Sequence, residues 1–226
     1  MPVTFGSAGT GFYQSSANVA GSWNHTVAAD HNLVIVTICP GLNVSLTNGN
    51  DAMGPNDVVL TFDGVAMKFL ASTFRCASFY LEIGGSGTKT VNLNPNGKSY
   101  TWAANSMSFK GAGKIGTPVT ALQQGSPHTV TAQGPANGMV VFSVGETYAS
   151  PLNSYTGATL AFWTNTSGNN SAGGFYAVSD GVTSSTVTTT NNTQWGGAIG
   201  IPLSFSPTPG VKTSQLSAAV NHASIR

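Results

Sequence analysis

The sequence predicts an all-β protein, a jelly-roll-like antiparallel β-sandwich with a C-terminal extension. Two observations carry that expectation. Short apolar or β-branched runs recur along the chain, each closed by Gly, Asn, Asp or Pro. The 3.6-residue periodicity of an amphipathic helix is nearly absent. A third observation bears on where such a sandwich works: charged residues make up only 7% of the chain, against roughly 25% in an ordinary soluble domain.

Taken in order, the strand candidates begin with "VTFGS", "GSWNHTVA", "NLVIVTIC" and "NVSLTN". "DVVLTFDGVAMKFLAS" holds two apolar runs separated by Asp63-Gly64. Asp-Gly between such runs predicts a type I′ hairpin turn, so Asp63 is a corner and not a catalytic carboxylate. "ASFYLEIG", "TKTVNLN" and "SYTWAANSMSFKG" follow, then "PVTALQQ", "HTVTAQ", "MVVFSVGE", "ATLAFWTN", "GGFYAVSD", "STVTTT" and "GGAIGIPLSFSP". "TKTVNLN" alternates, with Val91 and Leu93 on one face and Thr90 and Asn92 on the other. "LVIVTIC" and "MVVFSV" do not, which demands cover on both faces. Another layer of this chain or a neighbouring subunit could supply it, and subunit packing is the expectation. No internal repeat stands out. Pro207, Pro209 and Gly210 end the strand pattern. The expected organisation is one sandwich domain over 1–207 and a tail over 208–226. Leu216, Val220 and Ile225 are the tail's candidate contacts if it is an assembly arm, with a short helix at "SQLSAAVNH".

Composition excludes several function classes. The net charge is +1 with no basic stripe, so no nucleic-acid partner is expected. No polybasic or amphipathic segment suits a membrane surface. The start, "MPVTFGSAGTGFYQ", lacks a basic region and an apolar core, so it does not read as a secretory signal, and cytoplasmic synthesis is expected. The two cysteines, Cys39 and Cys76, read as buried thiols in that compartment, a disulfide being the alternative.

Candidate chemistry is sparse. Two carboxylates across a cleft would make a glycosidase, and Glu82 with Glu146 is the pair to consider. Glu82 falls on the less apolar face of its strand, and Glu146 at a strand end where solvation is expected. Asp30, Asp51, Asp57 and Asp180 lie in turn-forming sequence. His25 and His31 flank a turn beside Asp30, at a spacing that matches no metal motif. Asn48, Asn50, Asp51 and Asp57 offer oxygen donors for Ca²⁺ without the EF-hand pattern. No catalytic residue, cofactor or metal is therefore expected. The four Trp residues, Trp23, Trp102, Trp163 and Trp195, read as core or interface anchors. Tyr148 and Tyr155, in the polar loop "GETYASPLNSYTG", are the candidate glycan contacts.

The order of motifs carries a resemblance. "SWNHTVAADHNLVIVTIC", "LTFDGVAMKFLAST", "ASFYLEIGGSGTKTVNL", "ANSMSFKGA", "GMVVFSVGE" and "WGGAIGIPLSF" follow one another across residues 15–205. The series resembles β-sandwich minor tail and other virion structural proteins of bacteriophages infecting mycobacteria and related actinobacteria. The insert "PGLNVSLTNGNDAMGPND" and the tail depart from it. The resemblance implies a non-enzymatic particle component, a minor tail or tail-tip protein serving assembly or host-surface contact. It would be a homo-oligomer, a trimer among the options, bound to other virion proteins and located in the virion. A head-decoration protein is the nearest variant. A carbohydrate-binding module for the bacterial envelope is the alternative of another class.

Overall fold

The structure, a computed structural model, describes residues 2–14, 19–41, 52–97, 101–147, 152–165, 170–190 and 195–206. Its first half contributes β1 (Thr4–Ala8), β2 (Phe12–Gln14), β3 (Gly21–Val27), β4 (His31–Pro40), β5 (Val59–Phe62), β6 (Val65–Ala66), β7 (Lys68–Thr73), β8 (Cys76–Glu82), β9 (Gly87–Asn94) and β10 (Trp102–Lys110). The second half contributes β11 (Ala112–Ile115), β12 (Val119–Gln124), β13 (His128–Ala132), β14 (Gly138–Thr147), β15 (Ser154–Thr156), β16 (Thr159–Asn165), β17 (Asn170–Ser179), β18 (Ser185–Thr190) and β19 (Trp195–Phe205). The described residues contain no helix, and the protein is all-β.

The strands form four antiparallel sheets. The two large ones run β1-β10-β4-β8-β7, with β2 also on β10, and β11-β19-β14-β17-β16, with β12 also on β19. The small ones run β3-β9-β5-β6 and β13-β18-β15. Three apolar clusters fix the stacking. Trp23, Val36, Phe79 and Val91 fill the space between the first small and first large sheets. Ile35, Met107, Val141 and Ile201 fill the space between the two large sheets. Val130, Phe142, Phe175 and Val187 do the same under the second small sheet. The layers thus lie small, large, large, small, a sandwich at either end sharing a central core.

This stacking explains "LVIVTIC". Side chains alternate across a strand, so Val34, Val36 and Ile38 enter one outer core while Leu33, Ile35 and Cys39 enter the central one. In β14, Val140, Phe142 and Val144 face outward and Met139 and Val141 inward. The expectation that a neighbouring subunit covers these strands is corrected: the chain's own layers do. A strand buried on both faces reads the same whichever polypeptide lies over it.

The two halves repeat one topology. In each large sheet the last strand of the half pairs with the leading strand or strands and with the strand of both-face burial (β10 with β1, β2 and β4; β19 with β11, β12 and β14). Rows correspond residue by residue: Ser106, Val36 and Phe79 in one sheet match Gly200, Phe142 and Phe175 in the other. The bulge between Phe69 and Ala71 on β7, opposite Phe79, recurs between Leu160 and Phe162 on β16, opposite Phe175. Thr37 and Ser143, at equivalent positions of β4 and β14, meet with their hydroxyl oxygens 2.7 Å apart. Contact between a position and its own counterpart is the mark of a two-fold axis, here an approximate one between the halves. No repeat was legible in the sequence because equivalent positions have exchanged size and polarity.

Candidate functional site

The exchanges occur where the small sheets pack on the large ones. In the first half Gly21 faces the Trp102 ring; in the second, by pairing register, His128 and Gly196 hold those two places with the bulk on the opposite sheet. Likewise His25 with Ser106 corresponds to Ala132 with Gly200. The first slot thus reverses which sheet supplies the bulk, the second is filled by a histidine in one half and by two small residues in the other, and each half has a histidine in its outer core.

His128 sits with Glu146 and Thr189. Its Nδ1 lies 2.9 Å from Glu146 Oε1, and Thr189 Oγ1 donates to the same oxygen at 2.7 Å. All three side chains are buried. The solvated strand end expected for Glu146 is corrected: β14 continues through Glu146, which pairs with Gly196 and Ser171. Gly145 made the sequence look like a loop. Its role is close approach, because a Cβ there would collide with the carbonyl oxygen of Arg75. Arg75, which the sequence reading passed over, turns between β7 and β8 at φ 60°. It donates through Nη1 to the Gly41 carbonyl and lays its guanidinium over Phe74, 4.8 Å from the ring centre.

Glu82 is exposed at the end of β8 and pairs with Leu33. Cys39 Sγ donates to the Glu146 carbonyl at 3.4 Å. Cys39 lies six positions along β4 from Leu33, so at the rise of an extended strand Glu82 and Glu146 stand about 20 Å apart. Neither separation used by glycosidases is so large. The structure does not bring this pair together.

The second buried network ties β1, β3, β4 and β10. His25 Nδ1 lies 2.7 Å from Ser106 Oγ and its Nε2 3.2 Å from Ser7 Oγ. Trp23 Nε1 donates to Ser106 Oγ at 2.9 Å, Ser7 and Ser108 hydroxyls lie 2.9 Å apart, and His31 Nδ1 lies 2.9 Å from Ser108 Oγ. Hydroxyl beside imidazole is the geometry of an activated nucleophile, but the electrostatics are wrong. Burial, with nearby His31, pushes His25 down to about 4, which makes it a weak base toward a hydroxyl proton. Asp30, the adjacent carboxylate, is spent on Lys110 at 2.5 Å. The network is a cross-link.

The remaining candidates resolve locally. Asp63 and Gly64 have φ of 51° and 78°, the left-handed pair of a type I′ turn, and Asp63 bonds Lys89 at 2.7 Å. Asp180 Oδ1 accepts from the N–H groups of Val182 and Thr183, which lower its pKa. Asp57 is buried and accepts from Gly54 N at 2.7 Å. Asn48, Asn50 and Asp51, with the strand expected at "NVSLTN", lie outside the described residues. Among the described residues no three His, Cys, Asp or Glu side chains gather as metal ligands. Cys39 and Cys76 are buried thiols, Cys39 pushed up to about 12 by burial. Tyr155 lies on β15, partly exposed, with its ring 5.4 Å from that of Phe175. Tyr148, Leu216, Val220 and Ile225 lie outside the described residues.

What stays open to solvent is the outer face of each small sheet. The second presents Thr129, Thr131, Thr186 and Thr188, and these pair with one another: Thr129 with Thr188 at 3.0 Å, Thr131 with Thr186 at 2.8 Å. The first presents Ser22, Thr61, Asn92 and Asn94 around a shallow groove of about 370 Å³ over β9. The chain matches no family model and no curated protein sequence.

Proposed function

We propose that the protein is a non-enzymatic structural component of a bacteriophage particle, a minor tail or tail-tip protein, built as two fused jelly rolls. The connectivity supports the fold part of this reading. Numbered within the first half, with β1 and β2 as the first strand and β6 running on into β7 as the fifth, the sheets have orders 1-8-3-6-5 and 2-7-4-5, the fifth strand crossing from one sheet to the other, as in two interleaved Greek keys. The observation that carries the functional part is the fate of the reactive side chains. His25, His128, Glu146, Arg75 and both thiols are buried inside the layers, where they join strands. A scaffold with its polar chemistry locked in cross-links and a sparsely charged surface suits a fixed place among neighbouring subunits. On this reading the chain forms a homo-oligomer, and residues 208–226 dock on a neighbour through Leu216, Val220 and Ile225.

Mass spectrometry of purified particles, with heads and tails separated, tests the assignment. Presence in the tail fraction at a stoichiometric level is expected. Presence in heads alone moves the protein to a decoration role, and absence from particles ends the structural reading. Deletion of 209–226 with undiminished incorporation ends the role given to the arm.

A further inference from the structure

The two small-sheet faces occupy equivalent places, and on the first a shallow groove of about 370 Å³ lies open over β9. Register shows what changed. Asn92 and Asn94 on the central strand β9 correspond to Thr188 and Thr190 on β18. Asn is among the residues depleted in strands and Thr among those enriched. Two Asn in the middle strand of a sheet thus break the local preference that the other half obeys, and such departures concentrate at functional positions. The hydrogen bonding differs in the same sense. On the second face hydroxyls consume one another. On the first, one such pair is kept at the far end, Thr26 with Thr88 at 3.1 Å, but around the groove Asn92, Ser22 and Thr61 make no side-chain hydrogen bond among the described residues, and Asn94 uses only its Oδ1, on Asn96 N at 3.0 Å.

We propose that the β9 groove binds a neutral polysaccharide, with Asn92 as its central contact. The amide of Asn92 offers one acceptor and two donors side by side, which matches adjacent sugar hydroxyls. Ser22 and Thr61 flank it with single hydroxyls, and the exposed methyl groups of Val59 and Ala20 give small apolar contacts for the C–H faces of a ring. The groove's lining carries no charge, so it neither attracts nor repels an ionic ligand. An extended peptide suits it poorly. The main chain of β9 is already paired on both sides, to β3 and β5, leaving nothing for strand addition. The proposal does not depend on the virion reading and can fail without it.

The test is titration of the full-length ¹⁵N-labelled chain with chitotetraose, mannotetraose, maltotetraose and cellotetraose, followed by amide shifts. At least one should give saturable shifts centred on Ser22, Thr61, Asn92 and Asn94. Asn92→Thr installs the residue of the other half, so the variant should keep the wild-type melting temperature or exceed it. Loss of the amide contacts should weaken binding about three- to tenfold, while Thr188→Ala leaves it unchanged. No saturable shift with any of the four sugars, shifts centred elsewhere, or equal binding by Asn92→Thr would each overturn the proposal. So would shifts at these residues on raising the protein concentration alone, which would make the face a contact between copies.

Discussion

The two outer cores solve one packing problem in opposite ways. In the first half the indole of Trp102 projects from the large sheet over Gly21, and His25 reaches back to Ser106. In the second, His128 projects from the small sheet over Gly196, and Ala132 meets Gly200. Close packing requires only that the volume between sheets be filled; it does not say from which side. The electrostatic consequences differ nevertheless. His25 is held by hydroxyls, which tolerate a neutral ring, whereas His128 is held by a carboxylate.

The sharpest way to break the comparison is Glu146→Ala. It leaves His128 and Thr189 buried without their shared acceptor, and each buried polar group so orphaned costs about 1–3 kcal/mol. Denaturant unfolding of the purified chain measures it. Next comes pH. The folded pKa of His25, about 4, lies below the ordinary 6.5. Between those values the unfolded chain takes up the proton that the folded chain refuses, so stability falls as pH drops through the window. The shift corresponds to a loss on the order of 3 kcal/mol. A double variant, His25→Ala with Ser106→Gly, copies the second half and should flatten that part of the stability profile. A profile as steep as wild type would assign the slope to another group.

Smaller effects sharpen the symmetry. Gly197 corresponds to Ala103, but a Cβ at Gly197 would collide with the carbonyl of Phe74. Gly197→Ala should destabilise by about 1–3 kcal/mol, which a thermal melt resolves, and an unchanged melt would mean the halves fit more alike than the contacts indicate. On the surface, Thr131→Ala removes one cross-strand hydroxyl pair and should cost about 0.2–1 kcal/mol. The equivalent Asn24→Ala should change stability less, since that side chain makes no hydrogen bond among the described residues.

The all-β fold was legible because strand periodicity and turn chemistry are local. Asp63-Gly64 is the clearest case: two residues specify a backbone conformation, and the φ angles agree. What was not legible depends on which strands meet. Glu146 follows a glycine, and nothing local says that the glycine serves an approaching carbonyl instead of ending a strand. Arg75 gives no signal because its burial follows from contacts with Gly41 and Gly145, both distant in the chain. The Asn residues of β9 were in plain view as the polar face of "TKTVNLN". They gained meaning only beside their threonine counterparts.

The contact between Thr37 and Ser143 has a consequence for how such a molecule can vary. In an assembly of identical chains, every residue near a two-fold axis meets its own copy, so any substitution there occurs twice and must suit itself. Joining the halves in one chain removes that condition. It also makes their docking intramolecular, so dilution cannot separate them. Each side can then change alone while the other holds the interface. One half is free to keep a threonine-paired face, and the other to open a groove.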